Sequence, residues 1–190
     1  MNRREAISAV GLLLGGTVIG SDFFLSGCKT GGKKERQLAF TKDDIAYLDE
    51  IADTILPATD TPGAKAAGVG TFMTVMVNDC YEARDQKVFL DGMDKINELS
   101  SKKYRKEFLE ATESQRLELL TELDKEQKEY TKNMKEEDIP HYFRLMKETA
   151  LLGYFTSEIG STKALRYLPI PGRYDGNVPY KKGDRAWAIN

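Results

Sequence analysis

The only imidazole in this 190-residue chain belongs to His141. Histidine suits general acid–base catalysis near neutral pH, but it needs an orienting carboxylate and a nucleophile within hydrogen-bond reach. The sequence assigns neither of them to His141, which follows Pro140 at a predicted helix start. We therefore predict that His141 is a capping or surface residue.

Four carboxylates, those of Asp53, Asp60, Asp79 and Glu158, could in principle form one site. Their spacing matches neither a calcium-binding loop nor a metal-binding Glu-x-x-His pair. One His and two Cys leave no Cys/His zinc site, and the sequence contains no glycine-rich phosphate loop of the dinucleotide or Walker type. We expect these carboxylates to serve caps and turns, and we expect no catalytic residues, metal or cofactor in this chain.

The charges of the chain nearly balance, with 28 Lys and Arg against 30 Asp and Glu, a net charge of −2. Domains that bind nucleic acid usually combine a basic patch with a high isoelectric point. The balance therefore excludes a strong electrostatic case for nucleic-acid binding. The length suits one domain.

The first residues of the chain have the pattern of an export signal. Residues 6–21 carry no charge and follow the adjacent pair Arg3 and Arg4. A membrane-spanning helix needs about 20 apolar residues, so this stretch is too short for one. A basic start and an apolar centre predict a signal peptide over residues 1–27. The arginine pair favours the twin-arginine route, and a general secretory signal stays open as the alternative.

The signal ends in Leu25-Ser26-Gly27-Cys28, which resembles the lipobox of bacterial lipoproteins. We predict that Cys28 is acylated, that several acyl chains anchor it to a membrane, and that residues 28–39 form a flexible tether. The alternative is cleavage near Ser26, which would leave Cys28 as a free thiol. With Cys28 acylated, Cys80 has no disulfide partner, and we expect it to be a small buried apolar residue.

Helical periodicity of apolar residues predicts an all-α fold, a single compact domain of about five or six helices over residues 40–160. Thr41 is the predicted N-cap of the first helix, which Pro57 ends, and a turn-rich loop follows over residues 58–64. Further helices are predicted over residues 71–82 and around residues 88–99. Thr112 and Gln115 form a predicted capping box for a helix that presents one apolar side. The leucines assigned to that side are Leu117, Leu119, Leu120 and Leu123.

Residues 132–138 are predicted to be an exposed connection, and Asp138 is the predicted cap of a last helix over residues 141–159. That helix is apolar nearly all round, which indicates a helix that is buried or covered by a partner. Residues 161–190 mix Pro and Gly with aromatic residues, and we interpret them as an extended C-terminal arm that packs on its own domain or on another chain. A sugar-stacking platform of Tyr154, Phe155 and Trp187 is a less favoured alternative.

Two stretches resemble the gluconate 2-dehydrogenase subunit 3 family. The first runs through residues 51–64 (IADTILPATDTPGA) to Ala67-Gly68-Val69, and the second is GYFTSEIG over residues 153–160. The resemblance continues through Tyr167, the PGRY segment at residues 171–174 and Trp187, and it covers about residues 40–188. Small subunits of that family accompany a large flavin-dependent dehydrogenase of the glucose-methanol-choline type, often with a cytochrome c as electron acceptor. They hold no flavin themselves.

The resemblance implies a non-catalytic small subunit of a periplasmic sugar or polyol dehydrogenase complex, in which FAD lies in the large subunit. A flavoprotein that folds around FAD before export cannot use a translocon for unfolded chains, so the small subunit would escort it by the twin-arginine route and stabilise it. The lipobox departs from the family pattern and assigns the membrane tether to Cys28 of this subunit. The alternative function is a stand-alone envelope lipoprotein that binds a glycan or a protein. The candidate partner interface comprises Pro57, Asp60, Pro62, Tyr154, Phe155, Tyr167, Tyr174 and Trp187.

Overall fold

The computed structural model describes residues 40–135, 137–170, 172–173 and 176–188. The described residues contain five α-helices, one short 3-10 helix, one π-helical turn and no β-strand, which confirms the all-α prediction. The predicted export signal, the lipidation site and the tether lie outside the described residues. The α-helices are α1 (Lys42–Ile55), α2 (Val69–Cys80), α3 (Ala83–Tyr104), α4 (Glu113–Lys132) and α5 (Tyr142–Thr156). The 3-10 helix is Phe108–Glu110, and the π-helical turn is Gly160–Ala164.

Helix α1 begins after Thr41, the N-cap that the sequence predicted, and the structure adds a capping box with Asp44. The Thr41 hydroxyl accepts a hydrogen bond from the backbone N–H of Asp44 at 3.2 Å, and the Asp44 carboxylate accepts one from the Thr41 N–H at 2.9 Å. Together these bonds satisfy two of the backbone groups that a helix start leaves without partners. The helix ends two residues before Pro57, as expected.

Helices α2 and α3 differ from the prediction at their ends. Helix α2 begins two residues earlier, at Val69, and stops at Cys80, while α3 extends from Ala83 to Tyr104. The prediction that Cys80 is buried is wrong, because this residue is the last of α2 and is exposed. The next residue, Tyr81, takes the inward position, and its hydroxyl lies 2.5 Å from the hydroxyl of Thr149 on α5.

Helix α4 confirms the predicted capping box at Thr112 and Gln115, whose side chains bond to each other's backbone N–H groups. Three of the four predicted leucines are buried, but Leu117 is 56% exposed, which corrects its assignment to the core side. Leu119, Leu120 and Leu123 already fill the stripe that faces the other helices, and Leu117 lies off that stripe.

Helix α5 begins with a different cap from the one predicted. The Asp138 carboxylate accepts a hydrogen bond from the Lys135 N–H at 2.7 Å and so closes its own turn. The N-cap is His141, whose ring nitrogen Nδ1 accepts from the Phe143 N–H at 3.2 Å. The capping interpretation of His141 is therefore confirmed, whereas that of Asp138 is wrong.

Helix α5 contacts all four of the other α-helices. Most of its apolar residues are buried in these contacts, among them Phe143, Met146, Ala150 and Tyr154. Together with Phe143, Phe89 of α3 and Phe108 of the 3-10 helix are the largest fully buried side chains of the core. Within the described ranges, none of the helices has the length and apolar character to cross a membrane.

Candidate partner-binding surface

The loop between α1 and α2, residues 56–68, is held by a carboxylate of α1. Oδ1 of Asp53 accepts a hydrogen bond from the Lys65 N–H at 3.1 Å. A Cβ atom placed on Gly63 would lie 2.4 Å from that same oxygen and 2.7 Å from the backbone nitrogen of Ala58. Only glycine therefore lets the loop approach the carboxylate this closely, and the backbone N–H of Ala64 then bonds to the carbonyl of Leu56 at 3.0 Å.

Two further carboxylates of α1 fix the same region. Oδ1 of Asp49 accepts the N–H of Gly70 at 2.7 Å, in the first turn of α2, and burial raises the pKa of Asp49. Glu50 forms ion pairs with Lys65 and, at 2.6 Å, with the largely buried Arg116 of α4. Burial alone would raise the pKa of Glu50, but the hydrogen bond from Lys65 and the charge of Arg116 outweigh it, so the pKa is lowered.

The α1–α2 loop is also attached to α5 through Tyr154. The hydroxyl of Tyr154 donates to the carbonyl oxygen of Pro62 at 2.7 Å, and the side chain is only 4% exposed. Beyond the helix end, a Cβ on Gly160 would lie 1.8 Å from the carbonyl oxygen of Tyr154. The π-helical turn thus folds directly against the backbone of the residue that holds the loop.

Exposed apolar side chains remain beside this junction. The ring of Phe72 on α2 packs directly over Gly153 of α5, where a Cβ atom would lie 2.5 Å from the ring, so the glycine makes room for the ring between the two helices. Val75 follows Phe72 by three residues on α2, and Leu152 and Phe155 lie within two residues of Gly153 on α5. Val75 is 49%, Leu152 47% and Phe155 38% exposed. We call Val75, Leu152 and Phe155 the α2–α5 face.

The C-terminal arm closes on itself at its base. The Arg166 N–H donates to the carbonyl of Ala186 at 2.8 Å, and the Ala188 N–H donates to the carbonyl of Arg166 at 2.8 Å, forming an isolated parallel bridge. The Arg166 guanidinium lies 4.4 Å from the centre of the Trp187 ring, a cation–π contact. Arg185 donates to the carbonyl oxygen of Lys163 at 2.6 Å.

The predicted interface residues fall into two groups. Pro57, Asp60 and Pro62 are exposed in the α1–α2 loop, and Pro62 is joined to Tyr154, which in turn makes an edge contact with Phe155 at 5.2 Å between ring centres. The second group lies in the arm, where Tyr167 and Trp187 are both exposed. Tyr174 lies outside the described residues. Tyr154 is buried by this chain, so its direct contribution is to position Pro62.

The residues first considered for catalysis have structural roles or lie at the surface, where Asp79 and Glu158 are both exposed. Asp53 holds the α1–α2 loop, Asp60 lies at its exposed surface, and His141 caps α5. In the part of the chain that the structure describes, no group of three or more His, Cys, Asp or Glu could hold a metal ion. The sugar-stacking alternative also loses support, because Tyr154 is buried and Arg166 covers one face of Trp187.

Sequence reasoning did not identify Asp49, Glu50 or Arg116, which fix α1 to α2 and α4. Acidic residues on a predicted helix are usually solvated, so Asp49 and Glu50 did not stand out by residue type. The spacing of Asp49, Glu50 and Asp53 was the one available signal. Three carboxylates within one turn, directly before a loop rich in Gly and Ala, provide acceptors for that loop's N–H groups.

Comparison with models of known protein families identifies the family of this chain. The model described as gluconate 2-dehydrogenase subunit 3 matches residues 42–172. The chain belongs to the gluconate 2-dehydrogenase subunit 3 family. Searches of curated proteins and of solved structures gave no significant match.

The match to gluconate 2-dehydrogenase subunit 3 covers all five α-helices, the α1–α2 loop and the π-helical turn. It ends at Gly172, so Tyr174 and Trp187 lie beyond it, although the resemblance noted in the sequence extended to about residue 188. Membership of this family supports an accessory subunit of a dehydrogenase complex. The hydrogen bond from Tyr154 to Pro62 joins the two segments that resemble the family, residues 51–64 and 153–160, while Asp53 holds the loop of the first segment in place.

Proposed function

We propose that this chain is the non-catalytic small subunit of a periplasmic FAD-dependent sugar or polyol dehydrogenase complex of the glucose-methanol-choline type. It escorts the large, FAD-containing subunit through twin-arginine export, stabilises it, and tethers it to the membrane through acylated Cys28. Family membership supports the accessory role. The observation that carries the proposal further is the apolar surface that the chain leaves uncovered at the α2–α5 face.

The α2–α5 face is suited to a protein partner. Exposed apolar side chains that occur singly are normal on soluble proteins, but here two helices that pack on each other both contribute them. Large obligate interfaces resemble a protein core in composition, and aromatic side chains such as Phe155 are enriched in them. Covering these side chains would stabilise both chains of the complex.

The escort and binding roles are tested by expressing the tagged full chain, with its export signal, in its native cells and purifying it. We expect a flavin-containing subunit to co-purify with the wild-type chain. Leu152→Glu should reduce the recovered flavin strongly, because it inserts a charge into the proposed interface. Leu117→Glu is the matched control, since Leu117 is exposed to a similar extent on α4. A wild-type chain that purifies as a monodisperse monomer without flavoprotein would contradict the proposal.

The tether and the export route are tested separately by fractionation. Cys28→Ser should move the complex from the membrane to the soluble envelope fraction, because the thiol that carries the acyl chains is gone. Replacing both Arg3 and Arg4 by Lys should retain the complex in the cytoplasm if export follows the twin-arginine route. Unchanged export of the double variant would instead indicate the general secretory route.

A further inference from the structure

Charge is distributed very unevenly between the helical part of the chain and its C-terminal arm. Residues 40–160 carry 16 Lys and Arg against 25 Asp and Glu, a net charge of −9. Residues 161–190 carry 6 Lys and Arg against 2 Asp, a net charge of +4. The overall charge of −2 conceals this separation. A segment of opposite sign to the rest of its protein directs which surface meets a charged partner.

The cations of the helical part are largely neutralised by ion pairs, whereas four of the six cations of the arm form no ion pair with a described carboxylate. Eleven of the 16 Lys and Arg in residues 40–160 form ion pairs with described carboxylates. Over the described residues of the arm, the structure pairs none of Lys163, Lys181, Lys182 and Arg185 with a carboxylate. Arg185 donates instead to backbone carbonyl oxygens, those of Thr162 and Lys163.

The same arm exposes large apolar side chains next to these charges. Ile170 is 82% and Tyr180 75% exposed, and Tyr180 directly precedes Lys181 and Lys182. Tyr, Trp and Arg are the residue types that most often dominate binding energy at protein interfaces. A partner that fits the arm must therefore offer both negative charge and apolar pockets.

The backbone of the arm distinguishes a protein partner from a lipid surface. Segments that lie in a membrane interface are usually amphipathic helices, whose amides bond within the segment. Between Arg166 and Ala188 the described backbone forms turns and one isolated bridge, with no helix. Unpaired backbone groups are costly in lipid, but a protein surface can supply hydrogen-bond partners for them.

We infer that the arm docks on an acidic surface with apolar pockets on the FAD-containing catalytic subunit, where Lys181 and Lys182 meet carboxylates and Tyr180 fills a pocket. This inference rests on the proposed function. An acidic surface attracts the arm and repels the helical part, with its net charge of −9, so the arm sets the orientation in which the small subunit docks. Its charges act mainly on association and on the salt dependence of binding.

The affinity of the purified two-subunit complex, measured from 50 mM to 500 mM NaCl, tests this inference. For Lys181→Glu/Lys182→Glu we expect about tenfold weaker binding at low salt and a shallower dependence on salt. Tyr180→Ser should weaken binding without changing the salt dependence. The control is Lys125→Glu/Lys135→Glu, which makes the same charge change at two exposed lysines of the helical part that form no ion pair with a described residue, and should bind like the wild type.

The possible results separate the two claims. If the wild-type complex forms but the arm variants bind as tightly as the wild type, the arm inference is wrong and the proposed function stands. If the wild-type chain binds no catalytic subunit, both fail. Binding to vesicles of anionic phospholipid that is lost in the Lys181/Lys182 variant, with the complex unaffected, would overturn the inference in favour of a lipid surface. Circular dichroism of each variant confirms that the helices are intact.

Discussion

Replacing Tyr154 with Phe tests whether one hydrogen bond holds the α1–α2 loop against α5. The hydroxyl donates to the carbonyl of Pro62 at 2.7 Å, and the two residues are 92 positions apart in the chain. Phenylalanine keeps the buried ring and its edge contact with Phe155, so the substitution removes the bond alone. Tyr154→Ala removes the ring as well.

The expected cost follows from the surroundings of the two groups. A hydrogen bond inside a protein contributes about 0.5–1.5 kcal/mol net, because water competes for both partners. Pro62 lies in an exposed part of the loop, so water can reach its carbonyl in the variant, and we expect roughly 0.5–1 kcal/mol for Tyr154→Phe. In a domain of this size that lowers the melting temperature by about 1–4 °C. Tyr154→Ala should cost about 3–5 kcal/mol, since it also opens a cavity.

Urea unfolding followed by circular dichroism measures the stability, and amide hydrogen exchange locates the change. In Tyr154→Phe the N–H groups of Thr59 and Ala64, which bond within the loop, should exchange faster than in the wild type. Amides in the centre of α3 should follow only the global change. Tyr180→Phe is the matched control, because its hydroxyl is exposed and makes no hydrogen bond to a described residue.

Two results would refute this reasoning. If Tyr154→Phe unfolds like the wild type and the loop amides keep their exchange rates, the contacts of Asp53 and Gly63 suffice to hold the loop. If Tyr180→Phe loses as much stability as Tyr154→Phe, the loss does not come from the bond to Pro62. In either case the link between α5 and the loop would need another explanation.

Three further predictions concern single groups. Burial lowers the pKa of His141 in the folded state, so the contribution of His141 to stability is complete above its unfolded pKa of about 6.5 and is lost as the pH falls below that value. Thermal melting from pH 8 to 5 should show this loss of stability, and His141→Asn, which keeps an uncharged cap, should abolish it. Gly160→Ala should lower the free energy of unfolding in urea by about 1–3 kcal/mol or more, because its Cβ would lie 1.8 Å from the Tyr154 carbonyl; an unchanged value would show that the turn adjusts. Glu50→Gln should cost about 1–2 kcal/mol at pH 7, since it leaves the largely buried Arg116 without a full counter-charge, and this difference from the wild type should shrink as the pH falls below 4.5.

The helix starts show how far local sequence determines this fold. Thr41 and Thr112 each stand three residues before a side chain that completes a capping box, and both boxes form. The start of α5 was harder, because Asp138 and His141 are both able to cap and lie three residues apart. Asp138 bonds to its own turn, and only the folded chain shows that the imidazole of His141 occupies the cap position. Choices between nearby caps depend on tertiary contacts that local pattern does not contain.

The candidate site was less predictable than the fold, because its contacts join distant parts of the chain. The sequence indicated the two segments that matter through their resemblance to the family. It did not indicate that the Tyr154 hydroxyl joins them, or that Asp53 and Gly63 shape the loop between α1 and α2. Contacts over long separations follow from helix packing, which periodicity describes only as apolar or polar faces.

The apolar character of α5 is by itself weak support for a partner. The sequence predicted a helix that is either buried or covered by another chain, and the structure shows that contact with four helices already buries most of it. What this chain does not explain is the remainder, Leu152 and Phe155 on α5 and the arm with Ile170 and Tyr180. The structural support for an accessory subunit therefore comes from these exposed side chains and not from the apolar character of α5 as a whole. It also follows that substitutions at Leu152 should affect association while leaving the fold stable, whereas substitutions at Tyr154 should affect both.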